Sequence, residues 1–150
     1  WALGYKGQGV VIGGQDTGIE YDHLAIETQY RGYTGAAPNH NYNWHDAIHS
    51  GGGGSCGVNT TAPCDDHNHG THTIGTICGD DGAGNQIGVA PQAKWMGARN
   101  MNQGVGTPTT YNECWQWFLA PTNISNASPD PTKAPHVINN APLVFIFGVC

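Results

Sequence analysis

Val10-Val11-Ile12-Gly13-Gly14-Gln15-Asp16-Thr17-Gly18 is the stretch that decides the fold. A short apolar run led by Gly7 and Gly9 reads as a buried parallel strand. Its C-terminal end delivers Asp16, at the edge where ligands and chemistry sit in open α/β sheets. Two glycines inside the run, Gly13 and Gly14, weaken the strand reading.

Working outward, residues 20–68 are mostly polar, aromatic and glycine-rich, and Gly51 to Gly54 read as a surface loop. From His69 to Cys78 the chain turns small and apolar, which suits a helix packed closely in a core, and Gly79 is a good stop. Asp80 to Gln86 is turn-rich, and Ile87 to Pro91 leads into a second strand at 93–98. Thr107-Pro108 opens a clear helix: Thr107 can cap and Pro108 suits the first helical position. Thr110-x-x-Glu113 is an alternative capping box. Tyr111, Cys114, Trp115, Phe118 and Leu119 form one apolar stripe, and Pro121 ends the helix. Residues 122–135 read as a loop and His136 to Asn140 as a third strand. Strands alternating with helices predict an α/β, three-layer domain with a parallel sheet, apparently incomplete.

The chain has 150 residues, enough for one domain with a core. Its net charge of −6, with only five Lys and Arg, makes it a poor partner for nucleic acid. No apolar run approaches the ~20 residues of a membrane span. Of five cysteines, Cys56 and Cys64 bracket a short turn-rich loop and can close a disulfide, which fits an oxidising compartment and a secreted protein. Asn59, Asn123 and Asn126 begin formal glycosylation sequons.

The chemistry rests on Asp16-Thr17-Gly18 and His69-Gly70-Thr71-His72. A serine hydroxyl is a weak nucleophile at neutral pH and needs a general base, a task that suits imidazole. A buried carboxylate on the far ring nitrogen sets the tautomer and stabilises the imidazolium. Asp16 at a strand tip and His69 at a helix start can meet across the sheet edge. Singly, each is as readily a turn acid or a helix-capping histidine.

With their flanks, these residues resemble the subtilases, the subtilisin-like serine proteases. The matching stretches are Trp1-x-x-Gly4-Tyr5-x-Gly7-x-Gly9-Val10, Asp16 to Ile19, His69 to His72, Gly88-Val89-Ala90-Pro91 and Val137-Ile138-Asn139. The Asn41-Tyr-Asn-Trp-His-Asp46 stretch and the long loop before His69 look closest to the bacillopeptidase F-like branch. The resemblance implies that Asp16 orients, that His69 is the base and that His72 packs structurally in its helix. It also implies that Gly104 and Gly106, in Gln103-Gly104-Val105-Gly106, line a strand onto which a peptide substrate adds; the other reading is a plain turn.

The family's oxyanion Asn and nucleophile Ser follow the third strand, and neither falls before Cys150. Residues 1–140 then read as the N-terminal part of a catalytic domain, and 141–150 as a divergent apolar tail in which Leu143 to Phe147 is β-prone. The chain alone is expected to be inactive, with a C-terminal fragment as the partner that completes it. Gly53-Gly54-Ser55-Cys56-Gly57 matches a nucleophile elbow, which needs a strand before it and a helix after. Competing readings are a non-catalytic remnant that binds peptides or a partner, a zinc hydrolase using His67, His69 and His72, and an aspartic protease built on Asp16-Thr17-Gly18. No cofactor is required for serine chemistry. Asp80 to Gln86 and Asp65-Asp66 leave room for structural calcium.

Overall fold

A computed structural model describes residues 1–141. The tail from Pro142, including the β-prone Leu143 to Phe147, lies outside the described residues. Strand β1 spans Val11–Asp16, β2 Trp44–Asp46, β3 Lys94–Arg99 and β6 Val137–Asn140. They form one sheet in the order β2-β3-β1-β6, with every pairing parallel. A two-stranded antiparallel hairpin, β4 (Met101–Asn102) and β5 (Val105–Gly106), follows β3 directly. Helix α1 is His69–Cys78 and α2 is Pro108–Leu119.

The strands separate two apolar layers. On one side Ile74 and Cys78 of α1 meet Ile19, Ile26, Tyr30 and Trp95. On the other, Cys114, Trp117 and Phe118 of α2 meet Ala47, Met96 and Ala98. Strand alternation does the sorting: Gly13 faces the Phe118 ring while its neighbour Gly14 faces Ile74. The expected three-layer α/β arrangement is present. Parallel pairing also places the C-terminal ends of all four strands along one edge, where Asp16 and Asp46 are both in register with Arg99.

Several local expectations change. The 20–68 stretch contains β2, whose Trp44 packs over Gly97 and donates through Nε1 to the Thr60 carbonyl at 3.0 Å. The Gly51–Gly54 segment is a surface loop only in part, because Gly53 is buried. The buried stripe of α2 runs through Tyr111, Cys114, Trp117 and Phe118; Trp115 is 39% and Leu119 70% exposed. Trp117 wins its inward place by stacking on His45 of β2, with ring centroids 5.4 Å apart. The capping box joins Thr107 to Thr110, not Thr110 to Glu113. Glu113 is occupied elsewhere, by His45 and His49.

Candidate active site

Asp16 ends β1 and is buried. His69 is the first residue of α1, and its side chain is 30% exposed. The two meet: His69 Nδ1 lies 2.8 Å from Asp16 Oδ1 and 3.0 Å from Oδ2. A carboxylate only accepts, so Nδ1 carries the proton and, in the neutral ring, Nε2 keeps its lone pair. Two more donors hold the acid. Thr17 N–H donates to Oδ1 at 2.7 Å and Thr73 Oγ1, one turn along α1, to Oδ2 at 3.2 Å.

Backbone contact brings the pair together. Gly70 follows His69, and a Cβ there would stand 2.0 Å from the Gly18 carbonyl oxygen. Gly18 has φ +114°, and its own Cβ would stand 1.8 Å from the Cys64 carbonyl oxygen. Any side chain at either position would push the helix start off the strand tip. Asp65 locks the same corner. Its Oδ2 accepts from Thr71 N–H at 2.9 Å and from Thr71 Oγ1 at 2.5 Å. Its Oδ1 accepts from Thr17 Oγ1 at 2.7 Å, and from His67 and Asn68 N–H at 3.0 and 2.9 Å. The Thr71 amide in the first turn of α1, and the two amides just before the helix, thereby find a negative acceptor, which the helix dipole favours. Thr17 completes the weave by accepting from Gly70 N–H at 3.0 Å.

Sequence reasoning singled out Asp16 and His69 and missed Thr17, Asp65 and Thr73. On the sequence alone Asp65, four residues before His69, is half of an acidic pair that suits calcium or solvent. Each carboxylate is instead committed to the protein: Asp65 to α1 and Asp66 to Arg99 and the hairpin. In the 80–86 loop, Asp80 Oδ1 accepts from Gly82 N–H, and Asp81 Oδ1 from Ala83 and Asn85 N–H. Those backbone bonds hold the Asp81 carboxyl below its ordinary range.

The zinc reading fails on geometry. Among the described residues no three His, Cys, Asp or Glu side chains converge as metal ligands. His69 turns Nδ1 to Asp16, while His67 and His72 are exposed. His72 therefore does not pack inside its helix layer as expected. It lines a broad groove of about 910 Å³ with Leu24, Ile26, Gly75 and Ile87. The Ser55 elbow also fails, since no strand precedes it and no helix follows. Cys56 and Cys64 are disulfide-bonded, as their spacing suggested. Gln103-Gly104 is the turn of the β4–β5 hairpin and Val105-Gly106 its second strand.

The class of protein is a parallel three-layer α/β domain that carries a carboxylate–imidazole pair, Asp16 at the tip of β1 and His69 opening the next helix, at the C-terminal edge of its sheet. Comparison with known proteins gives the particular family. The family model described as "Subtilase family" matches residues 7–141. Bacillopeptidase F of Bacillus subtilis (strain 168) is 41% identical over 145 residues, covering 94% of this chain and 9% of that protein. Minor extracellular protease Vpr of the same organism is 34% identical, over 75% of this chain and 12% of its own length. Its major intracellular serine protease is 32% identical, over 64% and 25%. The chain belongs to the subtilase family of serine proteases. It spans about a quarter or less of the length of these curated relatives.

Proposed function

We propose that this chain is the acid-and-base portion of a serine endopeptidase domain, residues 1–140, which hydrolyses peptide bonds through an acyl-enzyme. One observation carries the reading: the His69 Nδ1 to Asp16 contact at 2.8 Å, on a carboxylate immobilised by Thr17 and Thr73. In the reaction the serine oxygen attacks the scissile carbonyl as its proton passes to His69 Nε2. Nδ1–H stays on the Asp16 carboxylate, which stabilises the imidazolium. The same proton then goes to the leaving amine, and a water repeats the cycle to release the acid. The serine and the oxyanion-stabilising Asn come from outside the described residues, so the chain by itself does not turn over.

The β4–β5 hairpin supports the substrate role of Gly104, in its turn, and Gly106, in β5. β5 lies at the exposed margin of a two-stranded hairpin beginning two residues after β3, where an extended peptide can add by backbone hydrogen bonds. The disulfide favours an oxidising, extracellular setting. The tail, 141–150, is taken as a divergent segment outside the catalytic portion.

A serine-directed phosphonate probe tests the reading. The expected result is no labelling of the 150-residue chain and labelling of the full-length protein that carries it. In that protein His69→Ala abolishes turnover. Turnover that survives His69→Ala rejects the base assignment, and a full-length protein that neither labels nor cleaves is the peptide-binding remnant instead.

A further inference from the structure

Away from the dyad, one buried cation draws four segments of chain to a point. Arg99 ends β3 and is fully buried. Its Nη2 donates to Asp66 Oδ2 at 2.6 Å and to the Gly53 carbonyl at 2.7 Å. Its Nη1 donates to the Gly57 carbonyl at 2.9 Å and lies 3.5 Å from Asp46 Oδ2. Asp66 Oδ2 also accepts from Gln103 N–H at 2.9 Å. The guanidinium fork thus ties the disulfide-closed loop, the run-in to α1 and the β2 terminus together, and reaches the β4–β5 turn through Asp66.

Two neighbouring carboxylates divide the labour. Asp65 turns toward Thr17 and α1, and so toward the dyad. Asp66 turns toward Arg99 and the hairpin. The hairpin needs an outside hold, because Gln103 sits at φ +49°, a left-handed conformation unfavourable for a residue with a side chain. Its N–H finds that hold in a carboxylate whose side chain is fully buried.

We propose that Arg99 and Asp66 are positioning residues that fix the β4–β5 hairpin, and with it the peptide-docking strand, relative to Asp16 and His69. The proposal rests on the peptidase reading above. A docking strand held in place loses little order when substrate adds. Released, it weakens ground-state and transition-state binding alike, which raises KM and leaves kcat.

The test uses the full-length protein, with Asp66→Ala and the double variant Asp66→Ala/Arg99→Met. The double variant removes both charges, so a stranded buried guanidinium cannot be the cause of any loss. Amide hydrogen exchange is read without substrate, and KM and kcat with a peptide substrate. Loss of a buried charge-assisted bond predicts exchange of the 101–106 amides about tenfold faster, with α1 amides unchanged, and KM raised about tenfold at constant kcat. Hairpin exchange that stays at the parent rate in the double variant overturns the proposal. So does a loss confined to kcat. Faster hairpin exchange in a protein whose parent cleaves no peptide upholds the hold on the hairpin and sinks the peptidase reading instead.

Discussion

Two carboxylates in this molecule meet imidazoles at the same distance and to different ends. His69 meets Asp16 at 2.8 Å, and His45 and His49 each meet Glu113 Oε1 at 2.8 Å. Distance does not separate them; immobilisation does. The Asp16 side chain is 3% exposed and sits on a strand end crossed by two glycines and a helix start. Glu113 is 31% exposed, lies on the surface of α2 and is shared by two rings. A carboxylate with one fixed partner can set a tautomer and stabilise a charge as it forms. A carboxylate divided between two histidines, on a side chain with one more rotatable bond, serves as a tie between α2 and the segment that follows β2.

The comparison breaks if the two acids respond alike to loss of charge. Asp16→Asn in the full-length protein is expected to lower kcat on the order of 10⁴-fold with the fold intact. Glu113→Gln should leave turnover on a peptide substrate within about twofold, because the partners of Glu113 are His45 and His49 and not the dyad. A large kcat loss in Glu113→Gln would place that cluster in the chemistry and remove the distinction.

Next in size comes the backbone contact that makes Asp16 special. Gly18→Ala forces a Cβ to 1.8 Å from the Cys64 carbonyl oxygen at φ +114°. The expected cost is about 3 kcal/mol or more, read from the denaturant midpoint. A midpoint unchanged by Gly18→Ala would show that the strand and helix do not depend on that approach. Asp65→Ala removes the acceptor at the start of α1 and should cost about 1–2 kcal/mol. In hydrogen exchange the loss should concentrate at residues 67–71; an even loss over the whole chain would contradict the capping role.

The smallest effect separates the two rings on Glu113. Burial pushes the His45 pKa down, against the pull of Glu113. The His49 pKa is raised, first by its hydrogen bond to Asn59 and then by Glu113. A raised histidine contributes stability that is present below its unfolded value and is lost as pH climbs through the folded value. A depressed one contributes above its unfolded value and loses it as pH falls through the folded value. Both rings are therefore best satisfied near the ordinary histidine range of about 6.5, with His45 neutral and His49 charged. Ring-proton NMR should give a His49 midpoint above that of His45, and Glu113→Gln should lower both midpoints, because Glu113 raises each ring. The opposite order would show that the rings do not divide one carboxylate this way.

What was legible in the sequence was what local pattern encodes. The spine β1, α1, β3, α2, β6 rests on apolar runs, small-residue packing and caps that act over a few residues, and its boundaries fall within a residue or two of the expected ones. Strand β2 was not legible, because Trp44-His45-Asp46 is three residues in a polar setting and becomes a strand only through pairing with β3. The face of α2 failed for a related reason. Tyr111, Cys114 and Phe118 fit two stripes equally, and the His45 ring, which no helical periodicity contains, selects Trp117 over Trp115. Asp16 and His69 were legible because their flanking motifs are contiguous. Asp65, Thr17 and Thr73 became visible only when fifty-odd intervening residues were folded between the strand tip and the helix.

The two free thiols of the core have a consequence for how the protein survives oxidising conditions. Cys78 belongs to the α1 layer and Cys114 to the α2 layer, so the whole thickness of the sheet lies between them. Burial pushes the Cys78 thiol up to about 12 and Cys114 well above its ordinary value. Exchange requires a thiolate that can reach a disulfide, and neither condition is met while the layers stay closed. Among the described residues, the Cys56–Cys64 link is thus shielded from both core thiols by the architecture itself, and exchange between it and either of them becomes a signature of opened layers.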